Sequence, residues 1–270
     1  MKRERVYRHG WGARTGHWLW TLALLVLLMS GLQIFDAAPY LDASDKSDPA
    51  HRVLAFGAHD NDNGQPVGTT TLFGHTFTTT GVLGYTDDGM GGRSARAFPA
   101  WLTLPGWQDL AGGRAWHFFF GWMLVLAMLV YVIGAARRGA LRELILRPSD
   151  VPKLWPMQAY YLKLRREPPP HGTYNPLQKA AYTLVIFVMF PLLVLTGVAL
   201  APGVDAALPW LTAIFGGRQF ARLWHFVLMA LVVGFTFVHL FQVATTGIWN
   251  NLRSIVTGWY VLGEHDGVGP

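Results

Sequence analysis

Residues Arg222–Leu240 read RLWHFVLMALVVGFTFVHL, an apolar run with a histidine near each end. From Leu223 to about Ala244 no Asp, Glu, Lys or Arg interrupts it. At about 1.5 Å per helical residue, such a run crosses the roughly 30 Å of hydrocarbon in a bilayer. His225 and His239 are fourteen residues apart. Fourteen residues is just under four helical turns, so the two side chains share one face to within about 40° and stand about 21 Å apart. One histidine therefore lies near each surface of the membrane.

Three further runs are equally apolar: Trp18–Phe35 (WLWTLALLVLLMSGLQIF), Trp116–Ala136 and about Ala181–Ala201. The third carries Pro191, which is expected to kink a membrane helix rather than end it. The first is long for a secretory signal and reads as a retained span. Composition agrees. Hydrophobic residues make up 51% of the chain and charged residues 14%, against roughly 25% charged in soluble domains. A soluble globule of this size could not cover its surface. Twelve Trp and sixteen Phe suit aromatic belts at the lipid boundary. With no Cys, disulfides, iron–sulfur clusters, thiolate zinc sites and Cys nucleophiles are excluded.

The expected fold is an all-α membrane protein, one domain over 1–270, with four transmembrane helices at about 16–36, 115–137, 178–201 and 221–247. Lys2, Arg3, Arg5, Arg8 and Arg14 precede the first helix. Arg137, Arg138, Arg142, Arg147, Lys153, Lys163, Arg165, Arg166 and Lys179 lie between the second and third. In a bacterial inner membrane the positive-inside rule would make both termini and the 138–177 loop cytoplasmic and the 36–113 loop periplasmic. The formal charge of +6 is thus topology and not a nucleic-acid patch. In the long loop, Thr69–Tyr85 (TTTLFGHTFTTTGVLGY) reads as a short hairpin. Pro99–Gly106 and Leu208–Phe215 read as interfacial segments, and Leu141–Leu146 and Ile248–Tyr260 as amphipathic cytoplasmic ones. No internal repeat is evident.

Of ten His, four lie in or at the edge of spans: His17, His117, His225 and His239. Depth pairs them as His117 with His225 outside and His17 with His239 inside. A single His at a helix end is an ordinary interfacial anchor. Four at two matched depths call for more. Neutral imidazole is a strong axial ligand for haem iron, and four-helix bundles build cofactor sites from facing side chains. A proton relay would bring carboxylates, and zinc would take three or four ligands at one level. Two bis-His haem groups satisfy all four residues. Gly31, Gly121, Gly134, Gly197 and Gly234 are read as room for a porphyrin, although glycine is common at membrane helix contacts. Arg14, Arg114 and Arg222 each precede a ligand by three residues; they suit haem propionates, and plain membrane anchoring accounts for them equally well. His9, His171, His265, His51, His59 and His75 are set aside as ligands. Met29, Met123, Met128, Met189 and Met229 are read as packing.

On these residues the chain resembles the membrane-embedded di-haem cytochrome b subunits of bacterial respiratory oxidoreductases, among them those of formate dehydrogenases, nickel–iron hydrogenases and thiosulfate reductases. The resemblance is carried by His17–Trp18, Ser30–Gly31–Leu32, His117, Thr196–Gly197, His225 and His239. The long first loop makes the thiosulfate-reductase branch the most similar. It implies two haem b groups, quinone as substrate and a periplasmic redox partner, molybdenum-containing by family association. No quinone residue carries over. The expected function is electron transfer between the quinone pool and that partner. A stand-alone di-haem quinone-linked oxidoreductase, such as a superoxide oxidase, uses the same four His; a haem-free anchor or transporter is the third reading.

Overall fold

The computed structural model describes residues 4–137, 141–172 and 174–262. Lys2, Arg3, Arg138 and His265 lie outside them. The chain opens with β1 (Arg5–Tyr7) and α1 (Trp11–Asp36). Strands β2 (Tyr40–Asp42), β3 (Arg52–Asp60), β4 (Pro66–Leu72), β5 (His75–Thr78), β6 (Gly84–Asp87) and β7 (Arg93–Arg96) follow. Then come α2 (Leu110–Arg137), α3 (Leu141–Leu144), α4 (Leu154–Tyr161) and α5 (Pro176–Leu184). A π turn at Val185–Met189 leads into α6 (Phe190–Leu200), α7 (Pro202–Ala207) and α8 (Pro209–Ile214). The chain closes with α9 (Arg218–Thr245), α10 (Ile248–Thr257) and β8 (Trp259–Val261).

Among the described residues, four helices are long and apolar enough to cross a membrane: Trp11–Asp36, Leu110–Gly134, Pro176–Leu200 and Arg218–Thr245. The four expected spans are all present, and the first, second and fourth begin several residues earlier than the apolar pattern indicates. Their outer faces expose Leu22, Leu25, Trp122, Leu126, Leu195, Phe237 and Phe241, side chains that water would reject and lipid would cover. Pro191 leaves α6 intact. It lacks an N–H and crowds the carbonyl one turn back, and the turn before it widens, Phe190 N–H reaching Val185 O. Two compact units are present, Met1–Ala127 with Val233–Pro270, and Met128–Val232.

In the first unit the long loop folds as a β structure far larger than the expected hairpin. Strands β2–β3–β4–β5 form one antiparallel sheet, and β6–β7 a separate hairpin. The β4–β5 turn is Phe73–Gly74, both at positive φ (47° and 80°), the backbone that a tight two-residue hairpin demands. Cross-strand hydroxyl pairs, Thr70 with Thr79 and Thr71 with Thr76, each at 2.9 Å, hold the register. Tyr85, placed in that hairpin from sequence, belongs instead to β6 and pairs with Ala95.

This β structure is clamped to the end of α1. Arg96 Nη2 donates to Asp36 Oδ2 at 2.9 Å, to Thr103 Oγ1 at 2.9 Å and to Gln33 Oε1 at 3.3 Å. Its Nη1 donates to Gly106 O, and Phe98 N–H donates to Asp36 Oδ1. Both charged side chains are fully buried. Around them Phe35, Phe56 and Phe98 pack with centroids 5.2–6.0 Å apart, and Leu104 N–H reaches the Met29 carbonyl. At the other end of α1, β1 pairs with β8. Gly258 there stands at φ +90°, where a Cβ would lie 2.5 Å from the Tyr7 ring, so this close approach of the two terminal segments requires glycine.

In the second unit the cap of α5 is a reciprocal box, Asn175 and Gln178 each accepting the other's backbone N–H. Lys179 pairs with Asp150 at 3.1 Å, and Leu146 N–H donates to Thr183. These contacts tie the 141–172 segment to α5. Of the amphipathic stretch expected at Leu141–Leu146, only Leu141–Leu144 is helical. In the first unit, the stretch expected at Ile248–Tyr260 forms α10 to Thr257, with Gly258 ending it.

Arg96→Met strips the cation from a buried carboxylate and is expected to cost about 3–5 kcal/mol. Arg218→Ala breaks an exposed pair with Asp205 and is expected to cost about 1 kcal/mol or less. Melting temperatures of the two variants in detergent check the contrast. The loop also carries a pH signature. Burial pushes the Asp42 carboxyl up, but the Arg52 guanidinium, the Asp48 N–H and the Ser47 hydroxyl outweigh it and hold it below the usual carboxylate range. Its folded pKa is thus below the unfolded value of about 3.9, so its contribution is complete above that pH and lost as pH falls through the folded value. Limited proteolysis of residues 37–109 is expected to be flat from pH 7 to about 5 and to accelerate below about 4. Asp42→Asn is expected to weaken the loop at neutral pH and to flatten that dependence.

Candidate functional site

His117 sits on α2 against α1. Its Nδ1 is 3.1 Å from Ser30 Oγ. Ser30, fully buried, donates its own proton to Val26 O at 2.6 Å. A Cβ on Gly31 would lie 3.2 Å from His117 Cε1 and 3.6 Å from Nδ1.

His225, on α9, repeats this arrangement within the second unit. Its Nδ1 is 3.0 Å from Thr196 Oγ1 on α6. Thr196, also fully buried, donates to Leu192 O at 2.8 Å and to Leu193 O at 3.0 Å. A Cβ on Gly197 would lie 3.1 Å from His225 Cε1. A hydroxyl–glycine dipeptide on one span thus grips the histidine of the next span, twice. On Gly31 and Gly197 the absent side chain makes room for an imidazole. A Cβ on Gly121 or Gly234 meets nothing within 4 Å. The hydroxyls of Ser30 and Thr196 were missed as site residues; their shared dipeptide was the available signal.

His17 and His239 come together within the first unit, their rings 6.4 Å apart centre to centre and tilted by 51°. His17 Nδ1 is buried and has no hydrogen-bond partner. Trp18 meets the His17 ring edge-on at 5.3 Å, and Phe235 stacks on His239 at 6.1 Å. Two imidazoles sharing a metal about 2 Å from each nitrogen place their ring centres about 6 Å apart. Among the described residues no group of three or more His, Asp or Glu offers a bare ion a site. Pairs of imidazoles suit a metal whose remaining ligands come from a macrocycle, so the donor set fits haem.

Of the three arginines, Arg14 donates from Nη1 to Val256 O at 2.7 Å and keeps a buried, unpartnered Nε. The Arg114 guanidinium lies 5.9 Å over the Phe118 ring. Arg222 is half-buried on α9. His9, outside the spans, is held below its ordinary pKa by burial, by Arg8 and by His17.

Gly31→Val and Gly197→Val push branched side chains into the gripped rings. Each is expected to lower haem content by about half, the loss of one of the two groups expected from sequence, whereas Gly121→Ala and Gly234→Ala leave it unchanged. Absorbance of the purified variants at equal protein concentration checks this.

A family model described as prokaryotic cytochrome b561 matches residues 67–258. The match takes in His117, Thr196–Gly197, His225 and His239; His17 and Ser30–Gly31 precede it. Among similar proteins is one from Azospira oryzae named as a protein-methionine-sulfoxide reductase subunit, YedZ1. It is 27% identical over 244 residues, covering 90% of this chain and 93% of that protein. With four apolar helices of membrane-spanning length, the chain belongs to the prokaryotic cytochrome b561 family, as a multi-pass bacterial membrane protein of the haem b-binding, electron-transport type.

Proposed function

We propose that this chain is the membrane subunit of a two-part oxidoreductase. It holds two haem b groups, at His117/His225 and His17/His239, and carries electrons between the quinone pool and a periplasmic redox subunit, molybdenum-containing by resemblance. The observation that carries the reading is the His17–His239 pair, two imidazoles that α1 and α9 bring to 6.4 Å, ring centre to ring centre. Haem bound between such ligands supplies reversible one-electron exchange. The protein's residues orient the imidazoles, keep water from them and set the charge around them. Arg14, Arg114 and Arg222 are the cations assigned to the propionates.

Pairing of β1 with β8 supports placing both termini on one side, together with Arg5, Arg8 and Arg253, which the charge rule makes cytoplasmic. The 37–109 β structure then faces the periplasm. Its fixed attachment to α1 through Arg96 and Asp36 suits a docking surface for the partner. The relative's name, a subunit of a reductase acting on methionine sulfoxide, favours flow from quinol outward, because sulfoxide reduction consumes two electrons and two protons and releases water.

The test is a pyridine haemochrome count on purified protein, followed by addition of a quinol analogue. Two haem groups per chain are expected. His17→Ala and His239→Ala are expected to remove the same one, and His117→Ala and His225→Ala the other. Quinol is expected to bring up the reduced absorbance within the mixing time of the native protein. No haem, or haem that quinol leaves oxidised, contradicts the reading. A soluble subunit is expected to co-purify; quinone-linked turnover by the isolated chain contradicts the two-part assignment.

A further inference from the structure

We infer that Ser30 and Thr196 are positioning residues that fix which nitrogen of His117 and of His225 carries the proton, and thereby set the potential of the haem these two histidines hold. The inference rests on the bis-histidine reading above. A hydroxyl has one proton to give. Ser30 gives it to Val26 O, at 2.6 Å the shortest of its contacts, the Leu27 carbonyl lying at 3.4 Å, and its oxygen faces His117 Nδ1 at 3.1 Å. Thr196 gives its proton to Leu192 O at 2.8 Å, shared with Leu193 O, and its oxygen faces His225 Nδ1 at 3.0 Å. Each oxygen is left as an acceptor, so each Nδ1 carries the hydrogen. Nε2 of each ring is then a bare lone pair, the form that binds iron. Both hydroxyls are fully buried, so no water takes over the role when either is removed.

The same bond has an electronic effect. Donation of Nδ1–H to an oxygen raises the basicity of a ligating imidazole. A more basic ligand favours the oxidised iron and lowers its potential. His17 has no such partner, its Nδ1 being buried and unpaired. The two histidine pairs are therefore tuned differently by the chain.

The test is a redox titration of the detergent-purified holoprotein, native and variant, following the reduced α band. Ser30→Ala and Thr196→Val are each expected to raise the same one of two midpoints by about tenfold in the oxidised-to-reduced ratio, about 59 mV for one electron, and to leave the other in place. Ser30→Thr and Thr196→Ser, which keep the hydroxyl, are expected to restore it. If a variant loses one haem, recovery in its hydroxyl-bearing counterpart supports the inference, and failure to recover overturns it. Two bound haem groups whose midpoints stay put, or move together, also overturn it. A native protein lacking two haem groups overturns the proposed function instead.

Discussion

An imidazole inside hydrocarbon has two nitrogens to satisfy and almost nothing nearby to satisfy them with. Bonding one to a neighbouring helix leaves the other pointing away, and a buried polar atom left alone costs free energy. His117 and His225 solve the first half identically, with Nδ1 on a hydroxyl that is already committed to its own helix. The backbone beside that hydroxyl must come close, and glycine is the residue that allows it: a Cβ there would sit 3.1–3.2 Å from the ring. The constraint accounts for one contact of α2 with α1 and one of α9 with α6.

The extramembrane β structure matters for the same reason. Gln33 and Asp36, which receive Arg96, lie one and two turns beyond Ser30 on α1. Leu104 N–H bonds to the carbonyl of Met29, the residue before Ser30. Gly113 on α2 comes so near Gln33 that a Cβ would lie 2.8 Å from its Cγ. The loop, the end of α1 and the start of α2 are therefore one packed assembly, with His117 one turn further along α2. A partner that docks on the loop touches a body continuous with the gripped histidine.

The sequence made the helices and the four histidines legible because lipid demands long apolar runs and tolerates few ionisable groups. The fourteen-residue step from His225 to His239 is the feature on which the depth reading rests. The β sheet was mostly missed because its strands are rich in Thr, Gly and charged residues, and because β2 and β3 are short of the regular alternation that marks a half-buried strand. The buried Arg96–Asp36 pair was invisible: sixty positions separate its members, and nothing local marks them. The repeat also escaped notice. Its units are two dipeptides, Ser30–Gly31 and Thr196–Gly197, whose kinship is physical, a hydroxyl and a missing side chain, and whose partners His117 and His225 stand at very different distances along the chain.

The central claim is that four imidazoles serve as axial ligands in two pairs, and low-temperature electron paramagnetic resonance of the oxidised, purified protein tests it most directly. The account predicts two low-spin ferric signals in equal amounts, each with two nitrogen axial ligands, one of them vanishing in His17→Ala and the other in His117→Ala. A single signal, a high-spin ferric signal in the native protein, or a spectrum indifferent to both substitutions contradicts it.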